Sequence, residues 1–194
     1  GSVATYSIDQ SIRFNSADSS YLTKTFGADG GDTWTFSLWI KRGKITSGGN
    51  WYFFSEAGGS GIGFVDSSDK LRFYNASAIV DSTQVFRDVG GWYHFVFSNN
   101  AGTVTITVNN TAVEIGATTA TLFNRNNAWS IGRHYDNTNF FDGYMAEMNF
   151  VDGQALSPTD FGETNDDGVW VPKAFTGTYG TNGFYITGED SAAL

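Results

Sequence analysis

The sequence predicts an all-β chain, two antiparallel sheets packed face to face, on three observations. Aromatic residues are dense, with 17 Phe, 9 Tyr and 6 Trp among 194 residues. Glycine is abundant (24) and proline scarce (2), the composition of many short strands joined by tight turns. Several segments alternate apolar and polar residues with period 2, the signature of a strand with one buried face. Almost no helix is expected beyond a turn near Ser157 to Phe161.

Taken in order, Ser11–Asn15 (SIRFN) and Ser20–Lys24 (SYLTK) read as short strands around an Asn15-Ser16-Ala17-Asp18 turn. Thr33–Arg42 is the clearest strand: Trp34, Phe36, Leu38 and Ile40 alternate with Thr35, Ser37, Trp39 and Lys41. The first set should lie between the sheets. Trp39 points the other way, onto covering loops or an open face; cover is expected for so large an aromatic. Thr46–Asn50 is a Gly-rich turn, Trp51–Ser55 a strand, Gly58–Gly63 a Gly-rich hairpin region and Leu71–Tyr74 a strand. Trp92–Ser98 alternates again, and His94 is expected in or near the core with a satisfied ring nitrogen. Gly102–Ile115 is a hairpin turning at Asn109-Asn110, residues that tolerate positive φ.

Trp129–Arg133 reads as a strand and His134–Asn139 as a polar loop. A turn at Asp142-Gly143 leads into another strand, with Tyr144, Ala146, Met148 and Phe150 on one face and Met145, Glu147, Asn149 and Val151 on the other. Ser157 is placed to N-cap a short helical turn with Pro158 at its first position. Periodicity is lost after Phe161-Gly162. The inward set should include Phe36, Leu38, Ile40, Phe95, Phe97, Ile106, Val108, Met148 and Phe150.

Composition excludes several classes. Lys plus Arg is 11 against 20 Asp plus Glu, a net charge of −9, which disfavours nucleic acid because phosphates need cationic neutralisation. No apolar run approaches the ~20 residues of a membrane span. No signal peptide is visible, and Gly1-Ser2 looks like a cloning remnant, so a targeting segment could have been removed. With no cysteine there is no disulfide framework, thiolate metal site or thiol nucleophile, a usage that suits a bacterial or viral product. Neither His94 nor His134 has a recognisable zinc-ligand neighbour.

Four segments resemble the laminin-G-like, concanavalin-A-like jelly roll: the opening strand–turn–strand, the Trp34–Lys41 strand, Trp92 followed by His94, and the Gly143 strand carrying Glu147 ahead of Ala155-Leu156-Ser157. The resemblance implies a β-sandwich jelly roll over residues 3–162. Two departures stand out. Ala146 occupies a position where many relatives carry a second acid, and Asn109-Asn110 replaces the usual Asn-Gly. The VDGQALSP, TDFGE, GVWVPK and GTYGTNGFY segments together resemble a laminin-G-like module of large, notably marine, phage structural proteins. That implies a C-terminal extension over 163–187 packing on the sandwich, a linker or truncated end at 188–194, and a virion or extracellular location.

The same sandwich hosts glycoside hydrolases and polysaccharide lyases, so the residues must decide. Retaining glycosidases of this fold carry Glu-x-Asp-x-Glu, whose alternation sets carboxylates ~5 Å apart on one face. That triad is absent: Glu147 and Asp152 are five apart, on opposite faces of an ideal strand. The Gln-x-His pattern of the lyases is missing too, and a non-catalytic module is expected. Sugar sites pair aromatic faces, which stack on C–H-rich ring surfaces, with Asn, Asp and Arg for the hydroxyls. Trp51 and Tyr52, after the Ser47–Asn50 turn, and Arg133, Tyr135, Asp136 and Asn137 offer that mixture near strand ends. The expected partner is a neutral or weakly charged glycan, since the −9 charge repels strongly anionic polymers. The alternative is a purely structural virion decoration contacting other virion proteins or further copies of itself. A structural Ca2+ held by turn oxygens at Asp18 and Asp142 is the expected cofactor, because the two strands bearing these turns are often neighbours in the fold.

Overall fold

The computed structural model describes residues 6–45, 50–65, 67–76, 78–116 and 123–189. In chain order the strands are β1 (Ile12–Phe14), β2 (Leu22–Thr25), β3 (Trp34–Arg42), β4 (Asn50–Glu56), β5 (Ser60–Val65), β6 (Lys70–Asn75), β7 (Ala78–Val85), β8 (Tyr93–Asn100), β9 (Thr103–Val108), β10 (Thr111–Ala112), β11 (Ala128–Ile131), β12 (Gly143–Asp152), β13 (Gly162–Thr164), β14 (Trp170–Pro172) and β15 (Phe184–Ile186). Among the described residues the one helical element is a 3-10 turn, Pro158–Asp160, where the Asp160 carboxylate accepts from the Ser157 backbone N–H at 2.9 Å.

Two antiparallel sheets form the sandwich. The seven-stranded sheet runs β1-β12-β3-β8-β9-β10, with β15 also on β12; the six-stranded sheet runs β2-β11-β4-β5-β6-β7. β13 and β14 make a separate ribbon. Between the sheets lie Phe36, Leu38, Ile40, Phe95, Phe97, Ile106, Met148 and Phe150 from one side and Phe53, Phe54, Ile62, Phe64, Leu71, Phe73, Trp129 and Ile131 from the other. Val108 packs against them at the margin. Trp129 is the hub of the aromatic contacts, with ring centroids 4.0 Å from Phe54, 4.5 Å from Phe26 and 4.6 Å from Phe150. Each such buried side chain contributes roughly 1.5–3 kcal/mol of transfer free energy.

One strand departs from its expected alternation. Pairing of β12 with β3 shifts register between Ala146 and Asn149, and Glu147 sits at φ +50. This bulge adds a residue and reverses the parity of the faces. Met145 therefore joins Met148 and Phe150 in the core, while Tyr144 lies outside and half exposed. Grouping Tyr144 and Ala146 with Met148 and Phe150 is thus corrected. The bulge falls where β12 exchanges one edge partner for another: β1 pairs with Gly143–Met145 and β15 with Met148–Phe150. Tyr6 and Tyr185 hydroxyls both donate to Glu147 Oε2, at 2.5 and 2.7 Å. Burial and the neighbouring carboxylate push the Tyr6 hydroxyl up to about 12.

Much of the outer face of the seven-stranded sheet is covered over β3, β8 and the second half of β12. Val96 and Val151 meet Phe161, with Leu156, Phe175 and Tyr179 around them, in a second apolar cluster. Trp39, 7% exposed, stacks on the buried His94 ring at 4.7 Å. Trp170 Nε1–H donates to His94 Nδ1 at 2.9 Å, so the other ring nitrogen carries the proton toward Ser37 Oγ, 2.8 Å away. Trp170 comes this close because it lies over Gly162, where a Cβ would meet its ring at 2.4 Å. The expectations for Trp39 and His94 both hold, and residues beyond 162 supply the cover.

Candidate functional site

The outer face of the six-stranded sheet carries most of the predicted binding residues. β4 presents Tyr52 outward, beside Gly63 and Arg72 in register. Glycine at 61 is required there: a Cβ would meet the Tyr52 ring at 2.9 Å. The segment joining β11 to β12 then folds over this face. It is tied down by Gly132 N–H to Phe53 O (3.0 Å), Tyr52 N–H to Asn139 O (3.3 Å) and Ser55 Oγ–H to Arg133 O (3.0 Å). Its own turn closes through His134 N–H to Thr138 O at 3.0 Å, with Asn137 and Asn139 in the left-handed region that asparagine tolerates.

This loop gathers aromatic rings and polar groups. His134 lies over Tyr52 at 4.6 Å and beside Tyr135 at 4.3 Å, with Tyr74 at 6.3 Å. Tyr135 is 36% exposed, whereas Tyr52, 6% exposed, forms the floor. The Arg133 guanidinium rests 3.6 Å above the Tyr21 ring, and Tyr21 is 44% exposed. Arg133 also donates to Asn137 Oδ1 and to Ser130 Oγ. Asp136 lies 2.7 Å from His134 Nδ1 and accepts from Thr138. Burial raises its carboxyl, but the Thr138 and His134 hydrogen bonds outweigh this and hold it below the ordinary range.

Tyr52, Arg133, Tyr135, Asp136 and Asn137 thus come together, and Trp51 does not join them. Its strand neighbour Tyr52 points outward, so alternation turns Trp51 toward the core margin, opposite Phe64, with the Lys44 ammonium 5.0 Å above its ring. Placing Trp51 in the ligand site is corrected on that ground. The turn at 46–49 lies outside the described residues. Sequence reasoning missed Tyr21 and Tyr74 as members of this cluster. Both stand on predicted strands, but only the order β2-β11-β4-β5-β6 brings them beside the 132–140 loop.

The calcium expectation meets a mixed outcome in geometry. β1 and β12 are neighbours, and the turn at Asn15–Asp18 does reach Asp142: the Ser16 backbone N–H and Oγ–H approach Oδ2 at 3.3 and 2.9 Å. Arg13 holds Oδ1 at 2.9 Å and Lys44 stands 3.6 Å from Oδ2. Burial raises the Asp142 carboxyl, and the Ser16 hydrogen bonds and Arg13 more than reverse this, leaving it below its usual range. Asp18 is turned to Asn15 Nδ2 at 2.5 Å. A carboxylate already held by two cations does not fit a third, and among the described residues no cluster of three or more His, Cys, Asp or Glu suits a metal.

The two acids weighed for catalysis are also engaged. Glu147 is held by the tyrosine hydroxyls, and Asp152 accepts from Asn124 Nδ2 at 2.6 Å and from the Asn182 N–H at 3.0 Å.

No curated protein matches the chain. Among solved structures, domain 4 of a GH43 extracellular arabinanase from Geobacillus stearothermophilus, in complex with arabinotriose, superposes with a TM-score of 0.52 at 24% identity, covering 68% of this chain and 67% of that one. A putative carbohydrate binding protein from Bacteroides ovatus gives 0.57 at 15% identity, over 77% of this chain and 44% of the other. Tailspike protein 2 of the Escherichia coli O157:H7 bacteriophage CAB120 gives 0.52 at 12% identity, over 78% and 23%. The chain therefore spans less than half the length of these last two. At such identities the likeness is one of fold, and the sequence itself supplies the assignment: residues 14–162 match the family described as the Concanavalin A-like lectin/glucanases superfamily, to which this chain belongs.

Proposed function

We propose that the chain is a non-catalytic glycan-recognition module of a phage virion protein, a tail fibre or capsid-associated component, and that it binds through the outer face of the six-stranded sheet. The observation that carries this reading is the exposed Tyr21–Arg133–Tyr135 platform on a loop pinned to β4. Exposed rings offer stacking surfaces for sugar C–H faces, and Arg133, Asn137 and Asp136 offer donors and acceptors for hydroxyls. Large exposed aromatics grouped in this way mark interaction sites. The carbohydrate-binding neighbour, the arabinotriose complex and the phage tailspike support the reading.

A shallow platform should bind each sugar weakly, with display in several copies raising avidity through effective concentration. Tyr135→Ala should abolish retention on a glycan array while changing stability by less than about 0.5 kcal/mol, as for an exposed side chain. Binding that survives this substitution would move the site elsewhere. An intact domain that binds neither the array nor host cells but self-associates would replace this reading with virion assembly.

A further inference from the structure

A cavity of about 420 Å³ opens on the outer face of the seven-stranded sheet, at the margin of its cover. Trp39 is its floor, standing in register between Ala146 of β12 and His94 of β8. Trp92, half-buried, lines it from the chain just before β8. The N-terminal arm, residues 6–11, forms the wall on the β12 side, where the Tyr6 hydroxyl donates to Glu147. Val171 and Pro172 of β14 form the wall on the β8 side, where Trp170 donates to His94. Both walls are thus fastened to the sheet, and the Trp39 ring is fixed by its stacking on His94, 12° from parallel. Eight of the ten lining residues lie outside 14–162, so the cavity is made by the two terminal segments of this chain and not by the sandwich common to the family.

The two walls differ chemically. Val171 and Pro172 offer no side-chain hydrogen-bonding group, whereas the arm brings Ser7, Asp9, Gln10 and Ser11 beside Ile8. Ser7 Oγ–H donates to Asp9 Oδ1 at 2.8 Å. Among the described residues nothing engages Asp9 Oδ2 or the Gln10 and Ser11 side chains. Among the described residues that line the cavity Asp9 alone is charged, and its carboxylate disfavours an acidic ligand. An aromatic floor between one apolar and one polar edge fits a sugar ring, which has a C–H face and hydroxyls around its rim. A hydroxyl turned to Val171 and Pro172 would give up its water without a replacement bond, while a methyl group there gains contact.

We propose that this cavity is a second saccharide site, separate from the loop platform, and that it takes a 6-deoxyhexose residue. The C–H face of the sugar lies on Trp92 and Trp39, its methyl group packs against Val171 and Pro172, and its hydroxyls turn to Asp9, Gln10 and Ser11. The volume falls in the ordinary range of small-molecule sites, roughly 300–1,000 Å³. The inference rests on the glycan reading and extends it, because the module then holds one site on the outer face of each sheet.

The test is a titration of the intact chain, followed by amide and indole shift mapping, with two matched pairs of sugars. These are methyl α-L-fucoside against methyl α-L-galactoside, and methyl α-L-rhamnoside against methyl α-L-mannoside; each pair differs only in the hydroxyl at C6. In at least one pair the deoxy sugar should bind about tenfold more tightly, the discrimination that a single methylene or hydroxyl commonly gives in an apolar pocket. Its shifts should fall at residues 7–11, 92 and 171, and not at 133–137. Trp92→Ala should abolish this binding. Asp9→Asn, at an exposed position, should weaken it about tenfold, the size of one charge-assisted contact, and leave the melting temperature unchanged. Equal affinity within both pairs, indifference to Asp9→Asn, or no binding at tens of millimolar sugar overturns the site. The glycan reading is scored apart from it: that reading stands if Tyr135→Ala still weakens retention on the array, and falls if the intact chain binds neither the array nor host cells.

Discussion

The outer faces of the two sheets carry similar outward residues and meet different fates. On the seven-stranded sheet Trp39, His94, Val96 and Val151 disappear beneath Phe161, Trp170 and Phe175, which bring apolar surface of their own. On the six-stranded sheet Tyr52 is covered by a loop made of polar residues, held by hydrogen bonds and carrying Tyr135 outward. An apolar cover extends the core and closes much of a face. A polar cover fixes the backbone and leaves rings available. The face proposed to bind is the one the chain pins without burying.

The largest effect should come from the core that both faces share. Leu38→Ala, at a fully buried position, should destabilise by roughly 2–5 kcal/mol in a urea titration. A change below about 1 kcal/mol would mean that the faces of β3 are reversed and the comparison collapses.

Next is the covered face. Trp170→Ala removes the donor to buried His94 Nδ1 and should cost about 1–3 kcal/mol, where Tyr135→Ala on the open face costs next to nothing. Equal losses would mean that the 132–140 loop is core margin after all. Trp170→Phe keeps the cover and isolates the hydrogen bond.

The same contrast has a pH signature. Burial lowers the His94 ring from its usual 6.5 to about 3. Between those values the unfolded chain takes up a proton that the folded one refuses, so stability falls as pH drops through this window. The slope should be about 1.4 kcal/mol per pH unit. Asp136 and Asp142, held low, lose their contributions in the same direction further down, whereas Glu56, raised by burial, works the opposite way. Denaturation at pH 7, 6 and 5 should show the slope, and His94→Gln should flatten it. An unchanged slope would place the titrating group outside the covered face.

The smallest expected effect concerns the edge where the faces meet. With Asp142 held by Arg13 and Lys44, millimolar calcium or a chelator should shift the melting temperature by less than about 1 °C. A calcium-dependent rise that vanishes in Asp142→Asn would restore the ion.

Most of the sandwich was legible because period 2 is a local property. The alternation of Trp34 to Ile40, the Asn109-Asn110 turn with both residues at positive φ, and the Ser157-Pro158 start are set by neighbours one to three residues away. The bulge at Glu147 was not legible, because nothing in GYMAEMNFVD interrupts the pattern; it arises where β12 changes edge partners from β1 to β15. β13, β14 and β15 are three residues each, too short to display a period.

The sequence by itself determined the all-β class, the inward set and the segment 133–137 as a mixture of aromatic and polar groups. Tertiary structure alone decided which aromatics share a surface. Trp51 and Tyr52 are adjacent in the chain and part company by alternation, while Tyr21 and Arg133, 112 positions apart in numbering, meet face to face because β2 lies beside β11. Strand order is fixed by how distant segments compete for the same edges, and that competition leaves no mark within either segment.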